Sequence, residues 1–184
     1  RGTPGDTFGR LREPVQRMAN LARLTRAAAP DGSLGIGDTS SVEWSLGQSP
    51  LMAPSVFNWF RPAYSPPGPL GDAGLLGPEF QTVNEYTVAS VSGMLASSLQ
   101  YGFTFKPEGP QAQLGRWTAL ADQPEALVND LDLLLCANAM SAATRTAIVT
   151  ALKEIPTSMA QWQRERAMTA LYLVLVSPDY LVQK

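Results

Sequence analysis

The sequence predicts an all-α fold, an irregular helical bundle interrupted by one long ordered loop rich in proline, glycine and aromatic residues. Three observations carry this. Apolar residues recur at three- and four-residue steps near both ends of the chain, no alternation of period two persists beyond a few residues, and the stretch between Ser49 and Thr82 is crowded with Pro, Gly, Trp and Phe. With 184 residues, 45% of them hydrophobic and 16% charged, the chain can bury one substantial core, so residues 1–184 read as a single helical domain.

The first helix is expected over residues 10–29. Leu11, Val15, Met18, Leu21 and Ala22 form its apolar face, and Pro14 sits in the first turn, where a missing N–H costs nothing. "PDGSLGIGD" ends it in a loop. Residues 40–48, "SSVEWSLGQ", have room for two helical turns capped by Ser40 or Ser41, with Val42, Trp44 and Leu46 facing neighbours. Beyond the long loop, Val83, Thr87, Val91, Met94, Leu95 and Ser98 share one helical face, surrounded by small residues that permit close approach. Residues 101–115 read as a loop, and "GRWTALAD" offers a short helical element anchored by Trp117 and Leu120.

Residues 122–176 form the helical C-terminal part. Asp122 followed by Glu125 resembles a capping box, and Leu127, Leu131, Leu134 and Leu135 supply a buried stripe. Ser141 caps the next helix, whose face carries Ala147 or Ile148, with Val149, Leu152 and Ile155, until Pro156 closes it. The last helix starts near Ser158, turns Met159, Trp162, Ala167, Leu171 and Val174 inward, becomes apolar all round and stops before Pro178. A helix apolar on every side belongs in the middle of a bundle.

Composition narrows the function. Histidine is absent, which removes the usual zinc ligand, general base and partner of a nucleophilic serine or cysteine. A net charge of −2 and scarce lysines, Lys106, Lys153 and Lys184, give no basic patch for nucleic acid. Cys136 in "LDLLLCANAM" reads as a small buried hydrophobe. The apolar run "ALYLVLV" is far shorter than the roughly 20 residues of a bilayer-spanning helix, so no membrane span is expected. Asp6, Asp31 and Asp38 lie in glycine-containing loops without the spacing of a calcium site, and neither a metal nor a cofactor is expected.

The long loop, residues 49–82, holds the candidate site. Its simpler reading is a wrapping segment whose Phe57, Trp59, Phe60, Tyr64, Leu70 and Phe80 fill seams between helices, so that residues 54–80 are substantially buried. The sharper reading takes Asn58, Trp59, Arg61, Tyr64, Gln81 and Asn84 as a surface for a partner or a neutral polar ligand such as a glycan. Amides bond such ligands, aromatic faces stack on them, and loops of this length are usually functional. Gln81, Asn84 and Glu85 could share one face at the start of the following helix, where acidic residues also suit the helix dipole. Glu79 and Glu85 are the carboxylate pair in this aromatic setting, hence the catalytic candidates for a glycosidase-like hydrolysis. Asp130 and Asp132 point to different helix faces and read as solvated, and Arg164 and Arg166 beside Glu165 read as surface salt links.

The segments "LREPVQRMANLARL", "SPLMAPSVFNWFRPAYSPPGPLGDAGLLGPEFQTVNE" and "LYLVLVSPDYLVQK" together resemble the C-terminal part of the DUF1800 family, bacterial proteins of unknown function. The resemblance covers nearly the whole chain. It implies export to the periplasm or beyond, and a longer protein whose missing part is N-terminal, which fits a chain opening at Arg1. It carries no activity. The function expected is a helical interaction or scaffold module, held by its loop against the N-terminal part of the same protein or a protein partner. The alternative is part of a hydrolase acting on a cell-envelope or extracellular polymer, its site completed by the N-terminal part.

Overall fold

A computed structural model describes Gly5 and residues 8–184. Among these, helices dominate and the only sheet is a pair of two-residue strands, β1 (Arg10–Leu11) and β2 (Val182–Gln183), joined antiparallel. The all-α expectation holds, with Arg10–Leu11 clipped to Val182–Gln183. The Arg12 N–H continues this pairing to Leu181 O at 2.8 Å.

Helix α1 (Pro14–Leu24) is shorter than the expected 10–29. Its start is set by Pro14 at the first helical position. Its end is set by Arg26, which takes the left-handed conformation at φ 45° while the Ala27 N–H reaches back to Ala22 O at 2.9 Å. That C-terminal motif normally announces itself with glycine. Here an arginine fills the position, which hides the stop from a sequence reading.

Residues 40–48 form a single turn rather than two helical turns. The Ser41 hydroxyl accepts from the Trp44 N–H at 3.2 Å, and Gly47 at φ 63° turns the chain away. Only Leu46 of the three expected anchors is buried; Val42 and Trp44 are exposed. Gln48 does the anchoring instead. Its Oε1 accepts from the Val15 N–H at 3.1 Å, satisfying an orphan donor at the start of α1, and its Nε2 donates to Glu13.

The long loop contains one short helix, α2 (Pro69–Asp72), and a 3-10 turn over Pro78–Thr82. It is tied to itself at three points: Ser65 Oγ donates to Leu75 O at 2.9 Å, Gly77 N to Tyr64 O at 2.9 Å, and Arg61 N to Gln81 Oε1 at 2.5 Å. Gly71 is required there, because a Cβ would stand 2.4 Å from Pro66 O. The loop is ordered but not substantially buried, which corrects the seam-filling expectation. Leu51, Met52, Val56, Phe57, Leu70 and Leu76 face solvent, Trp59, Phe60, Tyr64 and Phe80 are half-buried, and Pro66, Gly77 and Glu79 are buried.

Helix α3 (Glu85–Tyr101) buries Thr87, Val91, Met94, Leu95 and Ser98, the expected face, while Val83 lies before its start and is exposed. Helix α4 (Gly115–Thr118) seats Trp117 in the core. Helix α5 (Pro124–Leu131) opens with Pro124 at its first position and Gln123 as its cap, so Asp122 is not the capping residue. A π turn over Asp132–Cys136 follows and shifts the buried stripe: Leu135 and Cys136 go inward, whereas Leu133 and Leu134 are exposed, against the expectation for Leu134.

Helix α6 (Ala142–Glu154) is capped by Ser141 as expected, its hydroxyl accepting from the Thr144 N–H at 3.2 Å. Helix α7 (Trp162–Val176) begins four residues after Ser158, because Gln161 is left-handed at φ 59°, and Met159 stays exposed. From Arg166 onward, α7 is enclosed by α3, α4, α5 and α6. It is the central helix predicted from its all-round apolar character. Helix α8 (Pro178–Leu181) then leads into β2. Among the described residues no helix is long and apolar enough to cross a membrane.

Candidate functional site

The local chain explains where each candidate side chain goes. Asn84 is the N-cap of α3: its Oδ1 accepts from the Tyr86 and Thr87 N–H groups at 3.0 Å each, and the Thr87 hydroxyl accepts from the Asn84 N–H at 2.9 Å. Gln81 lies in the 3-10 turn and spends its carbonyl on the Arg61 N–H. Glu85 is the first residue of α3 and is exposed. Gln81, Asn84 and Glu85 therefore do not share one helical face, since the helix starts only after Asn84. What the structure does bring together is Gln81 with the backbone of Arg61, a brace across the loop.

Glu79 is buried and its Oε1 pairs with Arg10 Nη2 at 2.9 Å, while the same guanidinium lies 3.6 Å from Glu13. This ion pair fastens the loop to β1. Glu79 is engaged and Glu85 is exposed, so the two carboxylates occupy different settings. Asn58 is exposed in a left-handed conformation, Arg61 is exposed, and Trp59 and Tyr64 are each half-buried. Among the described residues no cluster of three His, Cys, Asp or Glu side chains is placed to hold a metal ion. Asp31 and Asp38 each close a local turn, accepting from the Ser33 N–H at 2.9 Å and the Ser40 N–H at 2.8 Å; Asp6 lies outside the described residues.

The loop does present a surface of large apolar side chains. Leu51 is fully exposed, Val56 is 95% exposed and Phe57 65%, with Met52 also open to solvent, all within seven residues. Monomeric proteins seldom leave such groups gathered unless something covers them.

Several buried polar residues escape the sequence reading. Arg166 is not a surface residue: Nη1 donates to Ala121 O at 2.9 Å, Nη2 to Ile155 O at 2.8 Å, and its guanidinium stacks on the Trp162 ring at 4.9 Å. Arg164 donates to Leu99 O at 3.3 Å, so neither arginine makes a salt link with Glu165. The signal was present in the four-residue row Trp162, Arg166, Ala170 and Val174, which places Arg166 on an inward line. Asp132 is also buried, receiving the Met140 N–H at 3.0 Å and pairing with Arg145. Asp130 takes a bidentate pair from Arg116 and the Trp117 indole N–H at 3.0 Å. Neither aspartate is a freely solvated carboxylate.

Cys136 is buried, and its thiol is pushed up to about 11, first by loss of water and then by the negative charges of Asp132 and Asp179. A thiol in that state is protonated and unreactive at neutral pH. Iodoacetamide at pH 8 is expected to modify Cys136 in the folded chain about 100-fold more slowly than in the urea-unfolded chain, the ratio set by the thiolate fraction. Equal rates, read by mass spectrometry, would place the thiol at the surface.

The family model DUF1800, described as a protein of unknown function, matches residues 3–182. No curated protein and no solved structure matches the chain.

Proposed function

This chain belongs to the DUF1800 family, and from that membership and the uncovered apolar loop we propose that it is a helical interaction module of an exported bacterial protein. In this reading the loop docks against the remainder of a longer polypeptide or against a protein partner. The observation that carries it is the solvent-facing group Leu51, Met52, Val56 and Phe57. An aromatic and aliphatic cluster of this kind is what interface anchors are made of.

Pre-organisation supports the same reading. The loop is braced by the Gln81 to Arg61 bond, by the Glu79 to Arg10 ion pair and by Gln48 on α1. A braced loop loses less conformational entropy on docking than a free one. The helices supply a rigid base, and Gln81, a residue expected to bind ligand, acts as one of the braces.

The test uses Phe57→Ser and Val56→Ser, alone and combined. Both side chains contribute little to the core, so melting should move by less than about 0.5 kcal/mol. Association with the separately expressed remainder of the protein, or with a copurifying partner, should weaken by about 2 kcal/mol or more for Phe57→Ser. Unchanged association would refute docking through this loop. Hydrolysis of an envelope polymer by the purified chain, abolished by Glu79→Gln, would replace the interaction module with a hydrolase.

A further inference from the structure

A cavity of about 260 Å³ lies between α1, α3, the 3-10 turn and the C-terminal end of α7 with α8. Its walls are largely aliphatic and aromatic, including Leu11, Phe80, Val83, Val88, Val91 and Leu181. The charged residues lining it are two arginines, Arg12 and Arg17, and no carboxylate lines it.

Both arginines already hold backbone carbonyls at helix ends. Arg12 donates from Nη1 to Tyr180 O and from Nη2 to Leu135 O, each at 3.4 Å, with its guanidinium 4.4 Å from the Tyr180 ring; Arg17 Nη2 donates to Leu175 O at 3.2 Å. These carbonyls carry only the partial charge of a helix C-terminus. The accounting stays open, because the Nε atoms of Arg12 and Arg17 are both shielded from solvent and have no acceptor. Among the described residues neither guanidinium has a carboxylate at ion-pair distance. Burial lowers the Arg17 pKa, and the groups that offset it are tyrosines, Tyr180 and Tyr172. Two cations partly withdrawn from water without a counter-anion are costly in isolation and favour an anion from outside.

We propose that this cavity receives a carboxylate borne by a protein segment with aliphatic neighbours, the carboxylate meeting Arg12 and Arg17 while the flanking side chains cover Val83 and Val88. A protein segment is favoured over a free small molecule on two grounds. The cavity is smaller than the roughly 300–1,000 Å³ of sites that enclose whole small ligands. Its apolar surface also continues outward, since Val83 and Val88 on its rim are exposed and Tyr86 between them is exposed too. One acidic side chain fits inside and its neighbours fit outside. The residues involved are separate from the 51–57 segment, so this site stands or fails independently of docking through the loop.

The test is fluorescence anisotropy on the whole chain with labelled, end-blocked peptides carrying one Glu between aliphatic residues, against the same peptides with Gln. The Glu peptides should bind saturably, at least about tenfold more tightly than the Gln peptides, and more weakly as salt rises. Val88→Asp sets a negative charge on the rim at an exposed position, so it should leave the melting curve unchanged and weaken binding by about tenfold or more. Arg17→Gln should do the same to binding; if it does not fold, Val88→Asp decides alone. Equal affinity for Glu and Gln peptides, absence of binding to the unaltered chain, or unaltered affinity in Val88→Asp would each overturn the proposal and leave the arginines as clamps on helix ends only.

Discussion

Asp132→Ala is expected to destabilise the fold by about 3–5 kcal/mol, the range for removing one partner from a buried charged pair. Asp132 is 1% exposed at the start of the π turn. One carboxylate oxygen accepts from the Met140 N–H and the other pairs with Arg145, which also reaches Asn129 on α5. Alanine would leave a buried N–H and a partly buried guanidinium without their acceptor, at the junction where α5 hands over to α6. Asp132→Asn keeps an acceptor for Met140 and removes the charge, so its cost should be smaller. Lys153→Met, which breaks the exposed pair with Glu125, should cost no more than about 1 kcal/mol. Urea melts of the three variants measure this ordering, and an alanine variant within about 0.5 kcal/mol of the starting protein would show that the junction does not depend on Asp132.

The helices were legible where period and burial agree. The faces of α3 and α6 follow from spacing, because a side chain four residues on is a neighbour whatever the tertiary context, and the central position of α7 follows from its all-round apolar character. The failures share a cause in tertiary geometry. Arg26 and Gln161 stop or delay helices by adopting left-handed backbone without glycine, and the π turn after α5 moves Leu134 outward by adding a residue to a turn. No local propensity announces either.

The loop illustrates a second limit. Its aromatic content marks it as ordered, but which side of an irregular segment faces the core depends on where it is pinned, and the pins are Gln48, Glu79 and Gln81 meeting Glu13, Arg10 and Arg61. These partners lie 20 to 69 residues apart in the chain, counting Gln81 to Arg61 and Glu79 to Arg10. Polar residues that resemble a ligand site in sequence, Asn84 and Gln81 above all, turn out to satisfy backbone N–H groups. The exposed Leu51 to Phe57 segment could be placed only by structure, because its residues are the kind that a sequence reading assigns to the interior.

Leu171→Ala is expected to cost about 2–5 kcal/mol, the range for a buried leucine whose removal leaves a cavity that its neighbours cannot fill. Leu171 is fully buried on α7, where Ala167, Ala170, Val174 and Leu175 are also closed off and α3, α4, α5 and α6 pack around the helix. Small neighbours on the same helix have little reach with which to collapse into the space. For a chain of this length the loss corresponds to a fall in Tm of roughly 4–20 °C. Leu173, half-buried at the edge of the core, should lose less on truncation. The consequence for function is a double separation. Leu171→Ala should reduce the amount of folded protein while the folded fraction keeps its affinity for a partner, whereas Phe57→Ser should keep the melt and lose the affinity. Calorimetric melts with binding measured on the folded fraction decide it. A Leu171→Ala loss below about 0.5 kcal/mol would place α7 at the periphery and remove the rigid base on which a pre-organised docking loop depends.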